Sequence, residues 1–288
     1  MNSTSGSMSS KLLNENTPFA IRESFNRLRT NLMYTVNDEG GCPVWGITSA
    51  NEAVGKSTII ANLAISFCYA GQKVLLVDAD MRHSTQEGLF GLESGGNGLS
   101  ELLSGIAADD TDVIRHIPDL SLDLITAGRT PPNPSELMMS NRLEQFIRKW
   151  RQQYDTVFID FPPVGIVTDA LAPCKNITGY IVAVRAEKDN VQKINQTISA
   201  IEAVGAKVLG VVLNGINTKG SYKKYYGNHY TSSGSDKYIK KETTTMPGNL
   251  YTIDFHSHIL PGVDHGCAST EEFTAQLALM RSSGVDVA

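Results

Sequence analysis

Ala50-Asn51-Glu52-Ala53-Val54-Gly55-Lys56-Ser57-Thr58 decides how this chain reads. The apolar run Val44-Trp45-Gly46-Ile47-Thr48-Ser49 precedes it, and a segment with helical spacing, Ile59 to Ala70, follows. Strand, loop, then helix opening at Gly-Lys-Ser is the arrangement that cradles phosphates. Loop N–H groups and the helix N-terminus face the anion, and a lysine reaches the outer phosphates. Gly55, Lys56, Ser57 and Thr58 are thus the candidate nucleotide-binding residues, with the Ser57 hydroxyl placed for magnesium. The loop is poor in glycine. Ala50, Glu52, Ala53 and Val54 fill places where glycine or proline often sits. A left-handed backbone forced on such a residue costs about 1–2 kcal/mol, so weakened rather than lost binding is expected.

Outward from the loop, composition sets broad limits. With 288 residues the chain can bury a full core, as one large domain plus something smaller. A net charge of -5 gives no general pull toward nucleic acid or anionic lipid. Cys42, Cys68, Cys174 and Cys267 have neither metal-ligand nor redox spacing. With a small, polar start lacking an apolar leader core, they read as reduced cytosolic thiols. No run approaches the roughly 20 apolar residues that cross a bilayer, so membrane association is expected through a partner.

Residues 1–16 are expected to be disordered, and Thr17-Pro18 to open a helix whose face carries Ile21, Phe25, Leu28 and Leu32. Strand candidates are Val44–Thr48, Lys73–Val77, Leu122–Thr126, Thr156–Ile159, Tyr180–Val184 and Val208–Leu213. Between them Ile59–Ala70, Ser135–Trp150 and Val191–Val204 have helical spacing. Strands that are continuously apolar are buried on both faces. The expected fold class is therefore α/β, a doubly wound, mainly parallel sheet flanked by helices, with its ligand at the strands' carboxyl ends. The domain is placed at 17–217 and a flexible, polar, tyrosine- and lysine-rich tail at 218–249. A short strand–helix segment, 250–288, completes the chain.

Two further strands run into acids, Asp78-Ala79-Asp80-Met81-Arg82 and Asp160-Phe161-Pro162-Pro163. Acids at strand ends beside a phosphate loop can hold magnesium or take a proton from an attacking hydroxyl, although aspartate also ends strands as a turn former. Together with the loop, these motifs resemble those of the bacterial protein-tyrosine kinases that regulate capsule and exopolysaccharide synthesis. Thr126-Ala127-Gly128-Arg129-Thr130-Pro131-Pro132-Asn133-Pro134-Ser135-Glu136-Leu137 and Gly210-Val211-Val212-Leu213-Asn214 are similar to two more hallmarks of that family. The resemblance covers roughly residues 17 to 240.

It implies a P-loop fold and ATP with Mg2+ as cofactors. Lys56 and the loop amides would hold the β- and γ-phosphates, Ser57 and Asp160, with Asp78, the magnesium, and Asn214 the adenine. Asp78 or Asp80 would take the tyrosine proton, and Arg82 would neutralise charge or serve as a structural ion-pair partner. The resemblance also implies autophosphorylation between subunits of a ring-like homo-oligomer, on tyrosines of the tail. Tyr222, Tyr225, Tyr226, Tyr230 and Tyr238 fit that role, set among Lys223, Lys224, Lys237, Lys240 and Lys241. By itself such a tail reads equally as an aromatic-basic patch for nucleic acid or lipid headgroups. Attached to this ATP site, it is read as a phospho-acceptor, with no nucleic-acid partner. Further implied partners are a membrane-anchored polysaccharide co-polymerase adaptor and a cognate phosphotyrosine phosphatase. The implied location is cytoplasmic, at the inner face of the plasma membrane through the adaptor.

Three departures stand out. Relatives carry Glu-x-x-Arg-x-x-Arg on the first helix for ring contacts, where this chain has Glu23, Asn26 and Arg29. Phe161 replaces a small hydroxylated residue, and the phosphate loop is altered. These bear on ring assembly and catalytic rate more than on fold. The last segment, Asp254-Phe255-His256-Ser257-His258-Ile259-Leu260-Pro261-Gly262-Val263-Asp264-His265, resembles the opening of a metal-dependent phosphotyrosine phosphatase of the polymerase-and-histidinol-phosphatase type. His256 and His258, on one face of a strand, would be the start of an incomplete metal site. A second function class is the ATP-switch dimer of septum-positioning and plasmid-partition ATPases, which carry a lysine where this chain has Asn51. A third is a weakly catalytic ATP-binding module docked on the adaptor.

Overall fold

The computed structural model describes residues 8–35, 41–167, 169–186, 188–215 and 253–254. In chain order the elements are α1 (Phe19–Thr35), β1 (Val44–Ser49), α2 (Lys56–Tyr69), β2 (Val74–Asp78), α3 (Gln86–Phe90) and α4 (Leu99–Ser104). Then follow β3 (Ile114–Ile117), β4 (Leu122–Ile125), α5 (Pro134–Met138), α6 (Asn141–Gln153) and β5 (Thr156–Asp160). The last are β6 (Gly179–Arg185), α7 (Val191–Ala203), β7 (Val208–Asn214) and the two-residue β8 (Ile253–Asp254).

The sheet runs β3-β4-β2-β5-β1-β6-β7-β8. Strands β4, β2, β5, β1, β6 and β7 are mutually parallel, and β3 and β8 pair antiparallel at the edges. The expected α/β architecture is thus observed. Buried alternation sends Leu75, Val77, Val157 and Ile159 to one face, under Leu143, Ile147 and Trp150 of α6 and Ile194, Ile198 and Ile201 of α7. Trp45, Ile47, Leu76 and Phe158 go to the other, under Phe25, Leu28 and Leu32 of α1 and Ile59, Leu63 and Phe67 of α2. The connection leaving β1 runs through α2 to β2 on one side, whereas that leaving the adjacent β5 runs to β6 on the other, so the crevice opens at the carboxyl ends of β1 and β5.

Several expectations need correction. The start is not disordered from Met8 on. Leu12 and Leu13 are buried, Leu13 N–H donates to Asn62 Oδ1 at 2.6 Å, and Asn62 Nδ2 donates to the Lys11 carbonyl at 3.0 Å. A buried asparagine inside α2 needs partners, and this segment supplies them while covering two leucines. The helix expected over Ser135–Trp150 is two helices, broken where Ser140 adopts an extended backbone. Edge strand β3 and the short α3 and α4 add to the expected elements. Phe161 faces the core, 5.6 Å from the Tyr180 ring. There it lies over Gly46, where an added Cβ would approach the ring to 2.7 Å.

Asn26 and Arg29 act within the chain. Arg29 Nη1 donates to the Ser66 carbonyl (2.6 Å), to Ser66 Oγ (2.8 Å) and to Asn26 Oδ1 (3.2 Å), which fastens α1 to α2. The tail tyrosines Tyr222, Tyr225, Tyr226, Tyr230 and Tyr238, and the histidines His256 and His258, lie outside the described residues. Of the strand expected over 250–255, Ile253–Asp254 is described, hydrogen-bonded to the end of β7.

Candidate functional site

Helix α2 begins at Lys56 because Gly55, its cap, turns the chain at φ 95, a left-handed backbone that suits glycine. A side chain there would also strike Asn214 Nδ2. Two residues before it, Ala53 sits at φ 57, which places the strain expected of a glycine-poor loop on one residue. Side chains from elsewhere hold that loop. Asn214, buried at the end of β7, donates Nδ2 to the Val54 carbonyl at 2.8 Å, and its Oδ1 is buried without a partner. Asn51 Nδ2 donates to Asp189 Oδ1 at 2.5 Å, and the other Asp189 oxygen accepts the Arg185 N–H at 2.6 Å. Arg185 Nη1 in turn donates to the Ala53 carbonyl at 3.3 Å.

Lys56 leaves the first turn of α2 toward the strand-end acids. Its Nζ is 2.9 Å from Asp80 Oδ2 and 3.5 Å from Asp160 Oδ1. Burial alone would depress the Lys56 pKa, but the Asp160 and Asp80 carboxylates outweigh it and hold the ammonium above its ordinary value. The structure thus brings Lys56, Asp80 and Asp160 together in one buried cluster. Arg82 is exposed on the β2–α3 connection, while Ser57 and Thr58 are half-buried in the first turn of α2.

Asp78, expected to act as a base or to hold magnesium, lies beside Asp160 at the ends of the paired strands β2 and β5. It is fully buried, and its Oδ2 accepts from Ser84 Oγ (2.9 Å), Thr85 N–H (3.2 Å) and Gln86 N–H (3.2 Å). Oδ1 accepts the Asp80 N–H at 3.1 Å. The side chain shapes the loop that carries Asp80. Desolvation, reinforced by Asp160 beside it, raises its pKa to about 7, against the pull of these donors and Lys56.

The same corner holds a residue for which the sequence offered no signal. Gln86 is fully buried at the start of α3, and its Nε2 donates to Asp160 Oδ2 at 2.9 Å and to the Ser57 carbonyl at 3.2 Å. Asp160 Oδ1 lies within ion-pair range of Lys56 yet accepts no hydrogen bond, and Gln86 Oε1 is likewise unpartnered. Buried oxygens without donors, beside the Ser57 turn, fit a hard cation such as magnesium.

Comparison with known proteins agrees with this geometry. The family model described as ParA, NUBPL iron-transfer P-loop NTPase, matches residues 43–281. The putative tyrosine-protein kinase CapB of Staphylococcus aureus is 37% identical over 209 residues, 72% of this chain and 90% of that protein. The chain belongs to the tyrosine-protein kinase family of P-loop NTPases. Tyrosine-protein kinase CpsD of Streptococcus agalactiae is 33% identical over 72% of this chain and 89% of that protein. Among solved structures, the chimerical protein CapA2B2 superposes with a TM-score of 0.66 at 38% identity, covering 73% of this chain and 92% of that one. Membership brings nucleotide binding with it, and among the described residues no helix is long and apolar enough to cross a membrane.

Proposed function

We propose that this chain is an ATP-dependent protein-tyrosine kinase that autophosphorylates its C-terminal tyrosines and regulates capsular or exopolysaccharide synthesis. The observation that carries the reading is the buried cluster of Lys56, Asp80 and Asp160 beneath the phosphate loop, in a chain at least 33% identical to named tyrosine-protein kinases. Without nucleotide, Lys56 neutralises two carboxylates. On ATP binding its ammonium would turn to the β- and γ-phosphates and release Asp80 Oδ2, which it holds at 2.9 Å, as an acceptor for the tyrosine proton. Ser57 and Asp160 would hold magnesium, which when bound spreads the phosphates' negative charge.

A tyrosine of the tail supplies the nucleophile. Its oxygen bonds to the γ-phosphorus, the bond from that phosphorus to the bridging oxygen breaks, ADP leaves, and Asp80 takes the phenolic proton. A carboxylate is a weak base for a phenol, but phosphoryl transfer passes through a loose transition state in which positioning matters more than base strength. Gly55 and the loop amides would position the phosphates, and Asn214, which supports the loop through the Val54 carbonyl, would contact the adenine. Each transfer adds about -1.5 to -2 charge to a lysine-rich segment, enough over five sites to invert its sign and release a neighbouring subunit. The membrane adaptor is the proposed recruiting partner, the phosphatase the proposed antagonist.

The test is incubation with ATP, magnesium and an adaptor fragment, followed by phosphotyrosine detection. The wild-type chain is expected to label. Lys56→Met, and the variant with Tyr222, Tyr225, Tyr226, Tyr230 and Tyr238 all changed to phenylalanine, are expected to lose nearly all label. ATP hydrolysis without phosphotyrosine would move the reading to the ATP switch, and neither activity to a binding module.

A further inference from the structure

We propose that Gln86 is a positioning residue for the nucleotide-bound metal ion. Its amide N–H group fixes the Asp160 carboxylate, and its buried Oε1 accepts a hydrogen bond from a water in the ion's shell. The inference rests on the Mg·ATP reading above and adds to it a residue outside every motif.

Gln86 touches all three parts of the site. Its backbone N–H donates to Asp78, and its side chain donates to Asp160 and to the main chain of Ser57. The orientation of its amide is fixed by this network. The reverse orientation would set Oε1 against a carboxylate and a carbonyl, two acceptors, with no proton between them. With Nε2 so placed, Asp160 Oδ2 is occupied, and Oδ1 is the oxygen left toward Lys56 and the phosphate loop. Gln86 therefore selects which oxygen of Asp160 faces an incoming ion.

The second observation is the unpartnered acceptor. Gln86 has no exposed surface, and its Oε1 has no hydrogen-bond partner. A buried carbonyl that accepts no hydrogen bond is destabilising, so its retention here points to a donor that arrives with the ligand. Asp160 Oδ1 is also buried and unpartnered, on the very carboxylate that Gln86 holds. Magnesium keeps several of its waters when bound by protein, and those waters need acceptors in the surrounding shell. A neutral amide oxygen supplies one without adding a charge to a pocket that already holds three carboxylates, Asp78, Asp80 and Asp160.

The test uses the full chain and ADP, titrated calorimetrically with magnesium and again with EDTA. The quantity read is the ratio of the two affinities, checked by the Mn2+ resonance spectrum with ADP bound. Outer-shell partners of metal ligands are worth about 10–100-fold in metal affinity. Gln86→Met is expected to lower the ratio by about ten-fold or more, to leave ADP affinity in EDTA unchanged, and to alter the Mn2+ line shape. Gln86→Asn, which keeps the amide but cannot span the gap, is expected to do the same and serves if the methionine variant does not fold. If both folded variants keep the wild-type ratio, or lose affinity equally with and without metal, Gln86 is a structural brace and the inference fails. If the wild-type chain itself binds no ADP, the nucleotide reading fails first. A wild-type ratio of one would overturn the metal role alone.

Discussion

Ala53 shows how one residue records a departure from its family's pattern. A glycine-poor loop has to place a non-glycine residue in left-handed backbone somewhere, and it does so at φ 57. The residue is exposed, so its methyl group contributes little packing in return. Replacing it with glycine removes about 1–2 kcal/mol of strain and adds about 0.4–1 kcal/mol of unfolded-state entropy. Relief of strain outweighs the entropy, so Ala53→Gly is expected to stabilise the fold by about 0.5–1 kcal/mol. In a thermal melt this corresponds to a rise of about 1–3 °C. A lower midpoint would show that the strain is relieved by something other than backbone freedom. Phe161 is the opposite case, since its side chain lies in the core over Gly46 and does not reach the site.

At the level of elements, the connection from β6 to α7 acts on the phosphate loop as a clamp. Asp189 holds Asn51 with one oxygen and the Arg185 backbone with the other, and Arg185 reaches Ala53. Hydrogen bonds to charged groups are worth about 1.5–3 kcal/mol, less where water can replace them, as at this half-buried position. Asp189→Ala is expected to weaken ADP binding about ten-fold, equivalent to about 1.4 kcal/mol, with little change in the melting midpoint. Asp189→Asn, which keeps one acceptor, is expected to lose less, and equal losses would show that the charge rather than the clamp matters. No local pattern announces this clamp, since its members lie 138 and 132 residues apart in sequence. The central strands were legible because burial on both faces leaves unbroken apolar runs. Edge strand β3 was not, having only Ile117 fully buried. Lys56, Asp80 and Asp160 were legible because their motifs abut strand ends, whereas Gln86 stands on a five-residue helix with no periodicity to betray it.

For the molecule as a whole, the site and the stability of the fold are linked through Asp78. Its carboxyl is raised to about 7 in the folded chain, by burial first and by Asp160 second, while an unfolded aspartate titrates near 4. Between those pH values the folded chain keeps a proton that the unfolded chain has released, so this residue's contribution favours folding at low pH. It is lost as pH rises through about 7. Lys56, raised above an already high value, stays charged in both states across this window and adds no slope. Urea unfolding of the wild-type chain and of Asp78→Asn at several pH values between 5 and 8 isolates the Asp78 contribution, because other carboxylates cancel in the difference. The wild-type advantage is expected to shrink by on the order of a few kcal/mol as pH rises from about 5 to about 8. A difference that stays flat, or that grows with pH, would mean that the four donors around Asp78 keep it ionised. The loop bearing Asp80 would then be held by a permanent charge and would not respond to pH.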